Sequence, residues 1–145
     1  MRRVTLDANV LAPGFTSQAS ASARLIDLWR AGAFVLVLSE HLLGKVARTF
    51  ADPYFAARLQ PGDPEAIVAL LGSAATLTDI AVTVRGVATH PEDDLVLATA
   101  LSGRADVLCT RDKHLLRLGI VGDAVLLSPG EFVARLTAEG HPANG

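Results

Sequence analysis

Apolar positions along the chain fall into two kinds of segment that alternate. Val4 to Leu6 is a short apolar run ending at Asp7, and Phe34-Val35-Leu36-Val37-Leu38 is apolar at every position, as in parallel strands covered on both faces. Between them Leu25, Ile26 and Trp29 share one helical face, and Gly32 predicts a left-handed cap that stops the helix. After the second run, Ser39 is placed to cap a helix carrying Leu42, Leu43, Val46, Ala47 and Phe50, which Asp52-Pro53 ends. Asp63-Pro64-Glu65 puts a cap, a first-turn proline and an acid at the head of a helix running to about Ser73.

The second half repeats the alternation. Thr76 to Val84 is rich in β-branched residues and predicts a strand, followed by a loop holding His90-Pro91. A helix is expected from Asp93 through Leu97, Ala100 and Leu101 to Gly103, then a buried strand at Val107-Leu108-Cys109-Thr110. A short helix with Leu115, Leu116 and Leu118 precedes Gly119, and a strand covers Ala124 to Leu127. Ser128-Pro129-Gly130-Glu131 is a capping box with proline at the first helical position, opening a last helix that ends near Glu139. Strands alternating with helices imply an α/β fold, a three-layer α/β/α sandwich around a mainly parallel sheet. The expected organisation is a single domain over residues 1–140 and a disordered tail from His141 to Gly145.

Composition narrows the classes. Half of the 145 residues are apolar, enough for a core without covalent staples. One cysteine, Cys109, excludes an intramolecular disulfide framework and fits a reducing cytoplasm. No apolar run nears the ~20 residues of a membrane span. With 13 Lys and Arg against 15 Asp and Glu, contact with nucleic acid has to come from a local basic patch.

The acids carry the chemistry. In an open parallel sheet the functional crevice lies beyond the carboxyl ends of the strands. There Asp7 ends the first strand, Glu40 follows the second, Asp112 follows the strand at 107–110, and Asp93 with Asp94 opens a helix. Two carboxylates ~4 Å apart repel by about 4 kcal/mol at an effective dielectric near 20, so such a cluster calls for a cation or raised pKa values. Magnesium or manganese prefers oxygen ligands and substrate phosphate, which points to phosphodiester cleavage by metal-activated water.

Several segments then resemble the PIN-domain ribonucleases, and within them the single-domain toxins of VapC-like toxin-antitoxin pairs. Leu6-Asp7-Ala8-Asn9-Val10-Leu11 is similar to that family's opening strand and acid, and Leu38-Ser39-Glu40-His41-Leu42-Leu43 to its second strand and helix. Pro91-Glu92-Asp93-Asp94 with Ala98-Thr99-Ala100, followed by Ala105 to Leu116 with Thr110-Arg111-Asp112-Lys113-His114, is similar to its C-terminal half in order and spacing. The resemblance implies a PIN-like fold and a metal-dependent endoribonuclease using Mg2+ or Mn2+. Asp7, Asp93 and Asp112 are its implied ligands, with Asp94 beside Asp93 and with Asn9 and Thr110 as polar support. It also implies an RNA substrate, a small antitoxin partner and a homodimer. Such relatives place a catalytic glutamate about two turns into the second helix, where this chain has Lys45. Glu40 is the candidate substitute, about 140° around the helix from Lys45. Lys45, Arg111, Lys113 and His114 are the candidate RNA contacts, with Arg48 and Arg58 as further basic positions.

Other readings stay beside this one. A lone Asp at a strand end or helix start is commonly a cap, and Glu40 suits a helix dipole as well as a ligand role. The four histidines form no pair at zinc-ligand spacing, and Cys109 reads as a small buried hydrophobe. A haloacid-dehalogenase-like phosphatase also carries an aspartate after its first strand, but it needs a second one two residues on, where this chain has Asn9. A PIN fold acting as a weak or inactive binding module is the non-enzymatic alternative, favoured by Lys45. No glycine-rich turn follows the first strand, which argues against dinucleotide binding.

Overall fold

In the computed structural model, which describes residues 1–140, the apolar runs pair into one six-stranded sheet. The strands are β1 (Arg3–Leu6), β2 (Val35–Leu38), β3 (Thr76–Leu77), β4 (Val107–Cys109), β5 (Ile120–Val121) and β6 (Ala124–Leu127), in the order β3-β2-β1-β4-β6-β5. Neighbours are parallel except β5, which runs antiparallel to β6. Val4 of β1 registers with Leu36 on one side and Val107 on the other, so strand order reverses at β1. Loops diverge at such a switch point, which leaves a crevice beyond the carboxyl end of β1.

The helices are α1 (Ala8–Thr16), α2 (Ala21–Arg30), α3 (Glu40–Phe50), α4 (Pro53–Ala56), α5 (Asp63–Ala74), α6 (Pro91–Ser102), α7 (Lys113–Leu116) and α8 (Pro129–Ala138). They flank the sheet and give the expected three-layer sandwich. Val4, Leu6, Leu38 and Leu108 are fully buried in the sheet, and each side chain of this size withdrawn from water contributes roughly 1.5–3 kcal/mol. Phe132 of α8 packs on Phe34 with ring centroids 5.4 Å apart. Ser39 caps α3 through Leu42 N, Gly32 takes φ +87° behind α2, and Ser128 and Glu131 form the capping box of α8. No helix among the described residues is long and apolar enough to cross a membrane.

Four expectations change. α1 follows Asp7 directly, although Pro13 and Gly14 lie inside it and blur its pattern; Asp7 caps it through Ala8 N. The strand expected over residues 76–84 stops at Leu77. β2 ends at Leu38, and at Ser39 the chain turns into α3, so beyond the Thr78 N to Leu38 O bond the β-branched residues have no β2 backbone to pair with. Asp63 is not a cap: Gly62 holds that position at φ +88°, and the Asp63 carboxylate accepts Gln60 N. The acid-bearing helix starts at Pro91 rather than Asp93, which sets Glu92, Asp93 and Asp94 all in its first turn, where the helix dipole favours negative charge. The expected tail at 141–145 lies outside the described residues.

Gly103 closes α6 against the buried face of β2: a β-carbon there would overlap Val37 Cγ1 and lie 3.3 Å from Thr99 O. Val37 is fully buried, so it has no free space to move into. Gly103→Ala should lower stability by about 1–3 kcal/mol through overpacking, read as an earlier urea midpoint at unchanged m-value.

Candidate active site

Three strand ends build the site. Asp7 N donates to Cys109 O, which carries the β1–β4 ladder one residue past β1, and Thr110 N donates to Leu127 O at the end of β4. These bonds bring Asp7 and Thr110 side by side. The Asp7 carboxylate is fully buried and accepts three hydrogen bonds: Ala8 N at 2.7 Å, Thr110 Oγ1 at 3.0 Å and Lys45 Nζ at 2.9 Å. Asn9 ties the same corner together, donating from Nδ2 to Thr110 Oγ1 and accepting Arg111 N at 3.0 Å on Oδ1. Thr110 Oγ1 also accepts Asp112 N.

α3 delivers Lys45 into this corner. Its buried face of Leu42, Val46 and Phe50 fixes the helix on the core, and Ser39 Oγ shares a 2.8 Å hydrogen bond with Thr99 Oγ1, coupling the head of α3 to α6. Lys45 Nζ thereby reaches both Asp7 Oδ1 and, at 3.6 Å, Asp93 Oδ1. Burial alone would lower the Lys45 ammonium, but the charges and hydrogen bonds of Asp7 and then Asp93 outweigh it and hold its pKa above the ordinary lysine value. Burial raises the Asp93 carboxyl; Lys45 pulls it down, and the charges of Asp112 and Asp7 push it up again, leaving it above the usual range. Asp112 caps α7 by accepting His114 N and Leu115 N, and lines a cleft of about 440 Å³ together with Asn9, Lys45, Thr49 and Arg111.

Of the acids placed here from sequence, Asp7 and Asp93 meet on the Lys45 ammonium, Asp112 acts on Asp93 through its charge, and two do not join them. The Asp94 carboxylate accepts Gly86 N, Val87 N and Ala88 N, so it anchors the loop ahead of α6. Glu40 is exposed at the first residue of α3, and the α3 side chain that enters the acid cluster is Lys45. Arg111 is exposed on the cleft, Lys113 and His114 are exposed on α7, and Arg48 is paired with Glu92 at 3.1 Å. Cys109 is buried and its thiol is pushed far up, first by burial and then by the Asp7 and Glu131 charges, so it offers no thiolate. A second opening of about 520 Å³ shares Pro13, Phe55 and Arg111 with the first. There Arg58 lies 3.6 Å over the Tyr54 ring. Sequence reasoning missed Tyr54 and Phe55, since Asp52-Pro53 marks only a helix end; their one signal is the pair of aromatic residues after that break.

As arranged, these residues do not fit a resident divalent ion. Among the described residues no three His, Cys, Asp or Glu side chains are gathered closely enough to hold one, and the space between Asp7 and Asp93 is taken by an ammonium. A dication within about 4 Å of that nitrogen would be repelled by about 8 kcal/mol at an effective dielectric near 20. What the arrangement holds instead is an ammonium shared between two carboxylates beside an open cleft, with the Arg111 guanidinium on the same lining to meet the negative oxygens of a phosphate ester.

Comparisons with known proteins agree with this architecture. Two solved structures share the fold. One is VapBC2 from Rickettsia felis bound to a DNA fragment from their promoter, at TM-score 0.60 and 13% identity over 87% of this chain and 98% of that one. The other is FitAcB from Neisseria gonorrhoeae, at TM-score 0.51 and 15% identity over 88% and 98%. No curated protein matches the chain. The family model described as PIN domain matches residues 3–114, which include Asp7, Lys45, Asp93 and Asp112. With that match spanning β1 to α7 and the site built from its strand ends, the chain belongs to the PIN-domain family.

Proposed function

We propose that this chain is an RNA-directed PIN nuclease of the toxin-antitoxin kind, working in the cytoplasm, with its active end at Asp7, Asp93 and Asp112. The observation that supports it is that Asp7, at the end of β1, and Asp93, in the first turn of α6, share the ammonium of Lys45, which lines one open cleft together with Asp112, the cap of α7. On the cleft, Arg111 supplies a cation for a phosphodiester, and Asn9 and Thr49 supply neutral hydrogen-bonding groups. The neighbouring Tyr54 ring offers a stacking face for an unpaired base, with Arg58 and Arg111 near the strand backbone. A small antitoxin protein and a second copy of the chain are its proposed partners.

Lys45 favours a second reading within the same family, a binding module that holds RNA and cuts it slowly or not at all. Magnesium or manganese, carried in on the substrate phosphate and not held by the free protein, is the proposed cofactor, and Mg2+- or Mn2+-dependent cleavage is therefore expected to be slow in the natural chain. The test is a labelled single-stranded RNA incubated with the purified protein in Mn2+ and in EDTA. Slow cleavage in Mn2+ that disappears in Asp7→Asn and accelerates in Lys45→Glu supports the nuclease reading. Binding in EDTA without cleavage by wild type or Lys45→Glu supports the binding module and removes the nuclease one.

A further inference from the structure

We infer that Lys45 is a built-in replacement for the site's metal ion: its ammonium neutralises Asp7 and Asp93 permanently and keeps a divalent cation from bridging them. Both partners are within ion-pair reach of one nitrogen, at 2.9 Å and 3.6 Å. A metal bridging the same two oxygens would bond them at roughly 2.1 Å and would have to share their space with that nitrogen. Nor is Lys45 a loosely held surface residue. Its side chain is only 20% exposed, its backbone carbonyl accepts Thr49 Oγ1 within α3, and Leu42, Val46 and Phe50 seat that helix on the core. To vacate the place, Lys45 would have to give up both ion pairs and leave the fully buried Asp7 carboxylate without a counter-charge.

The exchange also alters what the site asks of its surroundings. A metal centre depends on ion supply and on deprotonated ligands. A lysine at this position is supplied with the fold, so the Asp7 corner is complete as soon as α3 docks. This inference concerns the cation between Asp7 and Asp93 and stands whether or not RNA is the substrate.

The test uses Mn2+ alone as probe, with free Mn2+ counted by electron paramagnetic resonance and thermal unfolding followed with and without the ion. Wild type should show no saturable site and no Mn2+-dependent rise in Tm. Lys45→Glu, which puts a carboxylate where the ammonium stood, should bind Mn2+ at least about 100-fold more tightly than wild type. Lys45→Met, which keeps the length of the side chain and removes only its charge, should fall between them and covers the case in which the all-acid variant folds poorly. Asp93→Asn added to either variant should remove the gain. Wild-type binding as tight as that of Lys45→Met would show that the lysine swings aside for the metal, and no gain in either variant would show that something other than Lys45 keeps it out. Each of those two results overturns the inference.

Discussion

Lys45→Met should unfold about 3 kcal/mol more easily than wild type at neutral pH in the absence of divalent metal, a fall in Tm of roughly 6–12 °C for a domain of this size. Removing one partner of a buried ion pair leaves the other charge unmatched, at a cost of about 3–5 kcal/mol where both are buried. Here the lysine side chain keeps 20% of its exposure, which screens the pair and argues for the lower end. Asp7 would still accept Ala8 N and Thr110 Oγ1, so the corner keeps two of its three hydrogen bonds and loses the third together with its cation.

The pH dependence gives the deficit a signature. Lys45 has its pKa raised in the folded state, so its contribution is fully present below the unfolded value near 10.4 and fades as pH climbs through the higher folded value. The alkaline end of the gap between wild type and Lys45→Met should therefore lie in strong alkali, where the wild-type ammonium is lost, and protonating the carboxylates should close it in acid. Asp93 also has a raised pKa; for a carboxyl that sign means its charged form weakens the fold, with the loss appearing as pH rises through its folded pKa. Combining Asp7→Asn with Lys45→Met should cost less than the two separate losses added together, because the double variant no longer strands a charge at the fully buried position 7 and leaves only Asp93 without its partner. Equal stability of Lys45→Met and wild type across the pH range would mean that the ion pairs do not form in solution.

Asp112→Asn should lower RNA cleavage by about 100-fold or more in both the natural chain and the Lys45→Glu variant, while moving Tm by no more than about 2 °C. The two halves of this expectation come from separate jobs of one side chain. As the cap of α7, Asp112 accepts His114 N at 2.8 Å and Leu115 N at 3.3 Å, work that an asparagine oxygen does equally well. As a charge, it acts on Asp93 and faces the cleft, and asparagine cannot supply that. Single-turnover cleavage beside a melting curve reads both. A large drop in Tm would show that the carboxylate is structural first, and full activity would take Asp112 out of the reacting site.

How much of this was legible beforehand depends on how locally each feature is encoded. The strands at 4–6, 107–110 and 124–127 and the caps at Ser39 and Ser128 depend on residues close in sequence, and they appear where the pattern places them within a residue or so. The strand at 76–84 fails because its partner strand ends, which the segment's own β-branched residues do not reveal. α1 hides behind Pro13 and Gly14, whose penalty is overridden once the helix packs against α2 and α3. At the site, position at strand ends and helix starts marks five acids, and it is the family resemblance that implies Asp7, Asp93 and Asp112 among them. What they do not reveal is where a long side chain ends: Lys45 could as well have faced solvent. Asp94 illustrates the same gap, since three amides of a loop eight to six residues upstream decide where its carboxylate turns.

The sheet itself limits how copies of this protein could join. Its outermost members, β3 and β5, each run for two residues, one followed by irregular chain and the other folded back in a tight hairpin. So short a row of free amides and carbonyls gives a second molecule almost nothing to zip onto, and continuous sheets across two subunits are disfavoured. Any pairing of two copies of this chain is therefore expected through helix and loop surfaces, with the sheet of each copy ending at its own edge.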